Sequence, residues 1–409
     1  MTIVEFFDKS AIENILSALV CRPDRVVFIG DSLKRMERRV TAYRQVLESR
    51  DIRAELVCKS VNKNDLLGIA KVLSQIVEQE EQCVFNLDGG DELYLVAVGM
   101  VAQHYPEKVK LQRFNMRSGT VFECDTDGCT RNTAELEVTV AENALIYGGR
   151  VVYDGEKAGA TYPWLFTESF CEDIRGMWRV CSRNPKAWNL LLGILDKLDS
   201  LFPLEGQCLT VPMEEALTQI KKRRAKESDF FAFLESLAQE GLLLGYRQND
   251  DYFTFQYKDH QVRRCLTKAG QILELMIAAE AMEAEQDGKP LYHDVATGVY
   301  LDWDGDLAEY GADTSNEIDV LLMKGAIPVF ISCKNGQVET EELYKLNTVA
   351  RRFGGIHAKR VLVASELDKM GSKAKYLKER AQDMGIRIVE NVDQMSDKEL
   401  KKAIRALWQ

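Results

Sequence analysis

The sequence is poor in several things that would have assigned it quickly. No window approaches the roughly 18 consecutive apolar residues that a membrane helix needs. The opening "MTIVEFFDKSAIENIL" has early acids and no basic stretch, so no secretory signal is expected. Ten cysteines carry no repeated spacing. The nearest pair, Cys124 and Cys129 in "CDTDGC", is followed by no second pair or histidine at zinc-site intervals, so no structural metal is expected there. Reduced thiols and a cytoplasmic location follow. Basic residues are in deficit: the formal net charge is −11, which argues against a surface coated with non-specific nucleic-acid contacts. Neither the GxGxxG of dinucleotide folds nor the GK[ST] of phosphate loops occurs.

What is present is organised. A length of 409 residues, 46% hydrophobic and 29% charged, is that of a soluble globular chain with two or three domains. In the first hundred residues "RVVFIGDS", "AELVCKS" and "QCVFNLDGG" read as strands. The helical patterns between them are "LKRMERRVTAYRQVLESR", with Met36, Val40, Tyr43 and Val46/Leu47 on one side, and "DLLGIAKVLSQIVEQ". A β-α-β-α order implies a parallel, doubly wound sheet, whose ligands sit beyond the carboxyl ends of the strands. Two turns fall there: Gly30-Asp31-Ser32 and Asn86 to Glu92, "NLDGGDE". Short runs between 108 and 165 ("GTVFEC", "AELEVTV", "GRVVYDG") predict hairpins. Helices follow from about 166 to 242, then a helix and a two-stranded wing with an acidic tip, "QNDD". The expected divisions are 1–165, 166–268 and 269–409. The fold class is α/β: a Rossmann-like domain, a winged-helix-like middle segment and a second α/β domain.

The last division predicts helix, three strands, helix, strand, helix, strand. Its stretch from Lys324 to Arg380 holds twelve Lys/Arg against six Asp/Glu, locally positive in an acidic chain. Asp319 lies in "NEIDVLLMKG", and thirteen residues on, "IPVFISCKNG" ends a strand in Ser332-Cys333-Lys334. Residues i and i+2 of a strand share a face, so position 332 and Lys334 point together while Cys333 turns toward the core. Phosphodiester hydrolysis needs an activated water and a stabilised oxyanion, commonly through divalent cations on carboxylates with a lysine nearby. Mg²⁺ or Mn²⁺ needs few protein oxygens because it keeps several waters.

This order and spacing resemble the PD-(D/E)xK nuclease superfamily. The resemblance implies Asp319 as metal ligand and Lys334 as catalytic lysine. Ser332 stands where that pattern usually has an acid, and some members then take the carboxylate from the next helix. Glu339, Glu341 and Glu342 are available there, with Glu342 favoured because it begins the face carrying Leu346 and Val349. Glu274 on the opening helix and Glu317, on the face of Asp319, are further metal-ligand candidates. Thr340 is expected to cap the helix after Lys334.

Joined to the N-terminal pattern, the chain resembles the CARF-domain effector nucleases of type III CRISPR systems over nearly its whole length. The second turn reads "DGGD" where that family often has a threonine-rich loop. The resemblance implies a homodimer that binds a cyclic oligoadenylate, most often cyclic tetra-adenylate, through Gly30, Asp31, Ser32, Asn86, Asp88, Gly89, Gly90 and Asp91. It implies a Mn²⁺- or Mg²⁺-dependent endonuclease acting on single-stranded RNA and DNA, with nicking of duplex DNA as an extension, in antiviral defence. The alternative is a catalytically silent, ligand-sensing regulator that touches DNA through its central winged helix. A third is that the N-terminal half degrades its own activator.

Overall fold

The computed structural model describes residues 1–7, 10–125, 127–204, 206–268, 270–305 and 315–408. A seven-stranded sheet comes first, in the order β3-β2-β1-β4-β5-β6-β7. Its strands are β1 (Thr2–Phe6), β2 (Arg25–Gly30), β3 (Glu55–Ser60), β4 (Cys83–Asn86), β5 (Val109–Asn115), β6 (Thr120–Asp125) and β7 (Gly128–Thr133). The first five pair in parallel, and β5-β6-β7 close the sheet antiparallel. The strand sequence runs outward from β1 to β3, then restarts at β4 on the other side of β1. The topological switch point therefore lies between the carboxyl ends of β1 and β4.

The helix Leu33–Ser49 buries Met36, Val40, Tyr43, Val46 and Leu47, the stripe its spacing predicts. The helix Leu66–Gln79 starts at Asp65, whose carboxylate accepts the Gly68 N–H at 2.9 Å. Two local readings change. "AELEVTV" forms no strand, and β8 (Arg150–Val152) pairs across the chain with residues 300–302 instead of in a local hairpin. A three-residue strand gains little locally, so the ladder available elsewhere decides its partner.

The middle segment holds the helices Glu168–Arg183 and Pro185–Leu201. A small three-stranded sheet follows, ordered β10-β11-β9, from β9 (Cys208–Pro212), β10 (Leu243–Gln248) and β11 (Tyr252–Tyr257). Between β9 and β10 lie the helices Met213–Lys222 and Glu227–Gln239. The winged-helix shape thus has one strand more than its sequence predicts, because "CLTVP" pairs with the wing.

The C-terminal part opens with the helix Gln271–Met282 and a minimal hairpin, β12 (Glu285–Gln286) and β13 (Lys289–Pro290). A six-stranded sheet follows, ordered β18-β17-β16-β15-β14-β8, from β14 (Asp294–Asp302), β15 (Ser315–Lys324), β16 (Ile327–Asn335), β17 (Lys359–Ser365) and β18 (Arg387–Glu390). β14, β15 and β16 are antiparallel, and β16, β17 and β18 parallel. The helix Thr340–Gly354 connects β16 to β17. Its N-cap is Glu339, without a side-chain cap, so Thr340 is the first helical residue rather than the cap.

Both faces of this sheet are covered. Val320, Leu322, Ile331 and Val363 pack with the middle helices and Gln271–Met282. Leu321, Phe330 and Leu362 pack with Phe353 and with Val26, Phe28, Met36 and Tyr43 of the first domain, in one continuous core. The link is reinforced by polar contacts. Arg50 grips both oxygens of Glu142 at 2.6 Å, and the Asn143 amide donates to the Phe353 carbonyl at 2.7 Å.

Cys124 and Cys129, directly opposite on β6 and β7, are joined as a disulfide with their Cα atoms 4.2 Å apart, where reduced thiols are expected. The antiparallel register brings the two thiols together, which a five-residue separation in sequence does not reveal. No helix among the described residues is long and apolar enough to cross a membrane.

Candidate functional site

β15 and β16 run side by side, and the carboxyl end of β16 carries Ser332, Cys333 and Lys334 next to Asp319. Asp319 Oδ2 accepts from the Ser332 hydroxyl at 3.1 Å and from the Cys333 N–H at 2.6 Å. Lys334 Nζ lies 3.9 Å from the same oxygen. It also reaches Glu342 Oε2 at 3.0 Å on the helix that follows β16, and Lys345 holds the other Glu342 oxygen at 3.1 Å. Leu346 and Val349 of that helix are buried, which fixes the face from which Glu342 projects. Four residues picked from the sequence thus meet at one point. Cys333 is buried in the opposite core, as strand alternation requires.

Electrostatics separates these groups. Burial pushes the Asp319 carboxyl above its ordinary value, against the pull of Lys334, the Cys333 N–H and the Ser332 hydroxyl. Burial also works against both members of the Lys334–Glu342 pair, yet Asp319 and Glu342 leave the lysine raised, and Lys334 with Lys345 leaves the glutamate lowered, so the ion pair persists. Glu274, on the opening helix, is pushed well above the carboxylate range, first by burial and then by the charges of Asp319 and Glu317. Glu274 thus lies within electrostatic reach of Asp319, Glu317 and Lys334. Glu341 is exposed.

The sequence reading overlooks Gly298 of β14, which falls opposite Asp319 in the β14–β15 register. Its φ is +56°, a left-handed conformation suited to glycine, and a Cβ there would sit 3.6 Å from Glu317 Oε1. A lone glycine inside a strand pattern is the signal that could have marked it.

Among the described residues no three acidic, histidine or cysteine side chains close around one point as a formed ion cage. The donor chemistry nevertheless fits a hard divalent cation. Asp319, Glu274 and Glu317 are oxygen donors, the charges of Asp319 and Glu317 add to burial in raising Glu274, and the nearby lysine is engaged by Glu342.

The N-terminal turns meet at the switch point. A concavity of about 240 Å³ there is lined by Phe7, Asp31, Arg35, Lys63, Asp91 and Tyr94, with Gly90 in its wall. Gly30 ends β2, and Ser32 precedes the helix Leu33–Ser49. Gly90 has φ +97°, and a Cβ would come within 2.7 Å of Phe6 Cβ, so the tight turn needs glycine. Lys63 approaches Asp91 at 3.8 Å. Asn86 and Asp88 lie apart from this mouth. The buried Asn86 amide donates to Glu5 at 2.7 Å, and Asp88 accepts the Phe114 N–H at 2.8 Å. Gly89 is buried. Burial raises the Asp88 pKa to about 6. The cations Arg35 and Lys63, from separate elements, escape a reading centred on the two turns alone.

No family model and no curated protein matches the chain. Solved structures do, among them two that match from end to end. Protein VC1899 from Vibrio cholerae is 18% identical over 99% of this chain and 97% of its own, with a TM-score of 0.72. Can2 from Sulfobacillus thermosulfidooxidans, in complex with cyclic tetra-adenylate, is 16% identical over 100% of this chain and 99% of its own, with a TM-score of 0.65. The likeness is one of fold, and it runs from end to end, as the resemblance to CARF-domain effectors implies.

Proposed function

We propose that the chain is a cytoplasmic, homodimeric endonuclease of antiviral defence, activated by a cyclic oligoadenylate and dependent on Mn²⁺ or Mg²⁺, that cleaves single-stranded RNA and DNA. The carrying observation is the convergence of Asp319, Ser332, Lys334 and Glu342 from two strands and a helix onto one point. Asp319, Glu274 and Glu317 would hold the cation, with Glu342 or Glu341 supplying the carboxylate that Ser332 lacks. When bound, the cation supplies charge neutralisation at the phosphoryl oxygens and a more acidic water.

The chain's own groups set the rest. Ser332 and the Cys333 N–H fix one oxygen of Asp319, leaving its carboxylate a single orientation. Lys334, kept protonated by Asp319 and Glu342, places a positive charge where an attacking oxygen would develop negative charge. Glu342 anchors the lysine and, being anionic, is a proton acceptor beside it.

Two features support activation by a cyclic ligand. The concavity at the switch point offers Arg35 and Lys63 to phosphates, and Asp31, Asp91 and Tyr94 to base or ribose edges. The helix Glu92–His104 leaves Leu95, Val96 and Met100 exposed, an apolar face that a second copy would cover. A two-fold pair presents each loop twice, which suits a ring of identical nucleotides.

The test is cleavage of labelled single strands by the full-length protein, with and without cyclic tetra-adenylate, in Mn²⁺ and in EDTA. Cleavage that needs both ligand and metal is expected. Strand binding without breakdown under any metal would overturn the enzyme reading in favour of a ligand-sensing regulator.

A further inference from the structure

The cleft between the helix Leu33–Ser49 and the edge of the second sheet is larger than the ligand concavity, about 820 Å³. Six of its lining residues are basic: Lys34, Arg35, Arg38, Arg39, Arg150 and Arg352. Asp304 is the one acid among the described lining residues. In a chain of net charge −11 such a concentration of one sign stands out. Lys34, Arg35, Arg38 and Arg39 make no ion pair among the described residues. Arg352 shows the resulting potential: its pKa is lowered by burial and then by the charges of Arg39 and Arg38.

We propose that this cleft binds the phosphodiester backbone of the nucleic-acid strand that the nuclease site cuts. This rests on the reading of that site as a nuclease. Three observations favour a polymer backbone over a small anion or a base-reading surface. The cleft is lined from Ser32 to Gln45, and at 1.5 Å per residue that is about 20 Å of helix, room for several successive phosphates. Lys34 and Arg38, and likewise Arg35 and Arg39, are four residues apart, so each pair shares one face of the helix. No aromatic side chain lines the cleft among the described residues, so recognition there runs through charge rather than base stacking, without regard to sequence. Arg352 and Arg39 are held from within: Arg352 donates to the Tyr147 and Trp303 carbonyls, and Arg39 donates to the Ile146 carbonyl at 3.2 Å. Lys34 and Arg38 are exposed and carry no such duty.

The experiment measures binding of full-length protein to a fluorescein-labelled 20-nucleotide oligothymidylate in EDTA, where nothing can be cut, across a salt series. Lys34→Glu/Arg38→Glu is expected to weaken binding at least tenfold at low salt. It should also flatten log affinity against log salt by about 1.4, at about 0.7 for each phosphate no longer neutralised. Lys373→Glu/Lys375→Glu, on the exposed face of the helix Ser372–Asp383, is the control of equal net charge and should change affinity less than threefold. Equal affinity and slope for the cleft variant and the control would overturn the proposal. So would displacement of the strand by inorganic phosphate as readily as by unlabelled strand, which would leave a small-anion site. Because the readout needs no cleavage, its failure is distinguishable from failure of the nuclease reading, which would leave strand binding intact without turnover.

Discussion

The Asp319–Lys334 site and the switch-point concavity are both signalled by short stretches of the same chain, yet folding treats them differently. At the first, Asp319, Ser332, Lys334 and Glu342 meet within hydrogen-bonding and ion-pairing distance. At the second, Asp31, Gly90 and Asp91 line the mouth while Asn86 and Asp88 turn inward to Glu5 and Phe114. The difference lies in what carries the residues. A strand's two-residue period and a helix's buried stripe set side-chain direction before any tertiary contact forms. A turn such as "NLDGGDE" has no period, and its polar groups go to whichever unpaired backbone or buried side chain they meet first.

The comparison breaks most sharply at the strand-borne site. Asp319→Ala or Lys334→Ala should each lower ligand-activated cleavage by a factor on the order of 10³ or more. Circular dichroism and gel filtration should show the fold and assembly unchanged. Cleavage within tenfold of wild type in either variant would mean that the convergence is structural only.

Glu274→Gln keeps the size of the side chain and removes its charge. It should cost about 10–100-fold in cleavage, as loss of a metal-site partner does. It should also reduce the rise in melting temperature that Mn²⁺ gives the wild-type protein. An unchanged Mn²⁺ response would remove Glu274 from the cation's surroundings.

At the loop-borne site the expected effects are smaller. Lys63→Ala should weaken binding of cyclic tetra-adenylate about tenfold, the effect expected for one charge-assisted hydrogen bond, by calorimetry on the full-length protein. No change would move the ligand away from this concavity.

Asp88→Asn sharpens the contrast by doing little. If Asp88 anchors the loop through Phe114, ligand affinity should change less than about threefold, within the range of one neutral hydrogen bond. The effect should appear in stability against pH. Asp88 is raised to about 6 by burial, with Glu13 raising it further and the Phe114 N–H, Arg113 and His357 opposing. A carboxyl held above its unfolded value binds its proton more tightly when folded. Its contribution is therefore full below the ordinary carboxylate range and is lost as pH rises to about 6. Urea titrations should show wild type losing stability over that interval relative to Asp88→Asn. A parallel pH dependence in the two proteins would sink the assignment.

Legibility follows the same division. The parallel sheet and the C-terminal strand order are readable from apolar alternation, and the Asp319–Lys334 pairing from the thirteen-residue step between Asp319 and Ser332 together with the nuclease resemblance. Several features are not. β9 is five residues long and finds its partner forty residues later, so no local pattern marks it. The Cys124–Cys129 bond depends on strand register. The basic cleft draws its charges from residues 34–39, 150 and 352, which only tertiary folding brings together.

β8 has a practical consequence. These three residues leave the first half of the chain and supply the outermost rung of the second sheet, against Tyr300, Leu301 and Asp302. A fragment trimmed to begin at the helix Gln271–Met282 would expose the free rim of β14 to solvent, an invitation to self-association. Any transplant of the second sheet into another protein would have to carry residues 140–152 along with it, so the two sheets are not interchangeable cassettes.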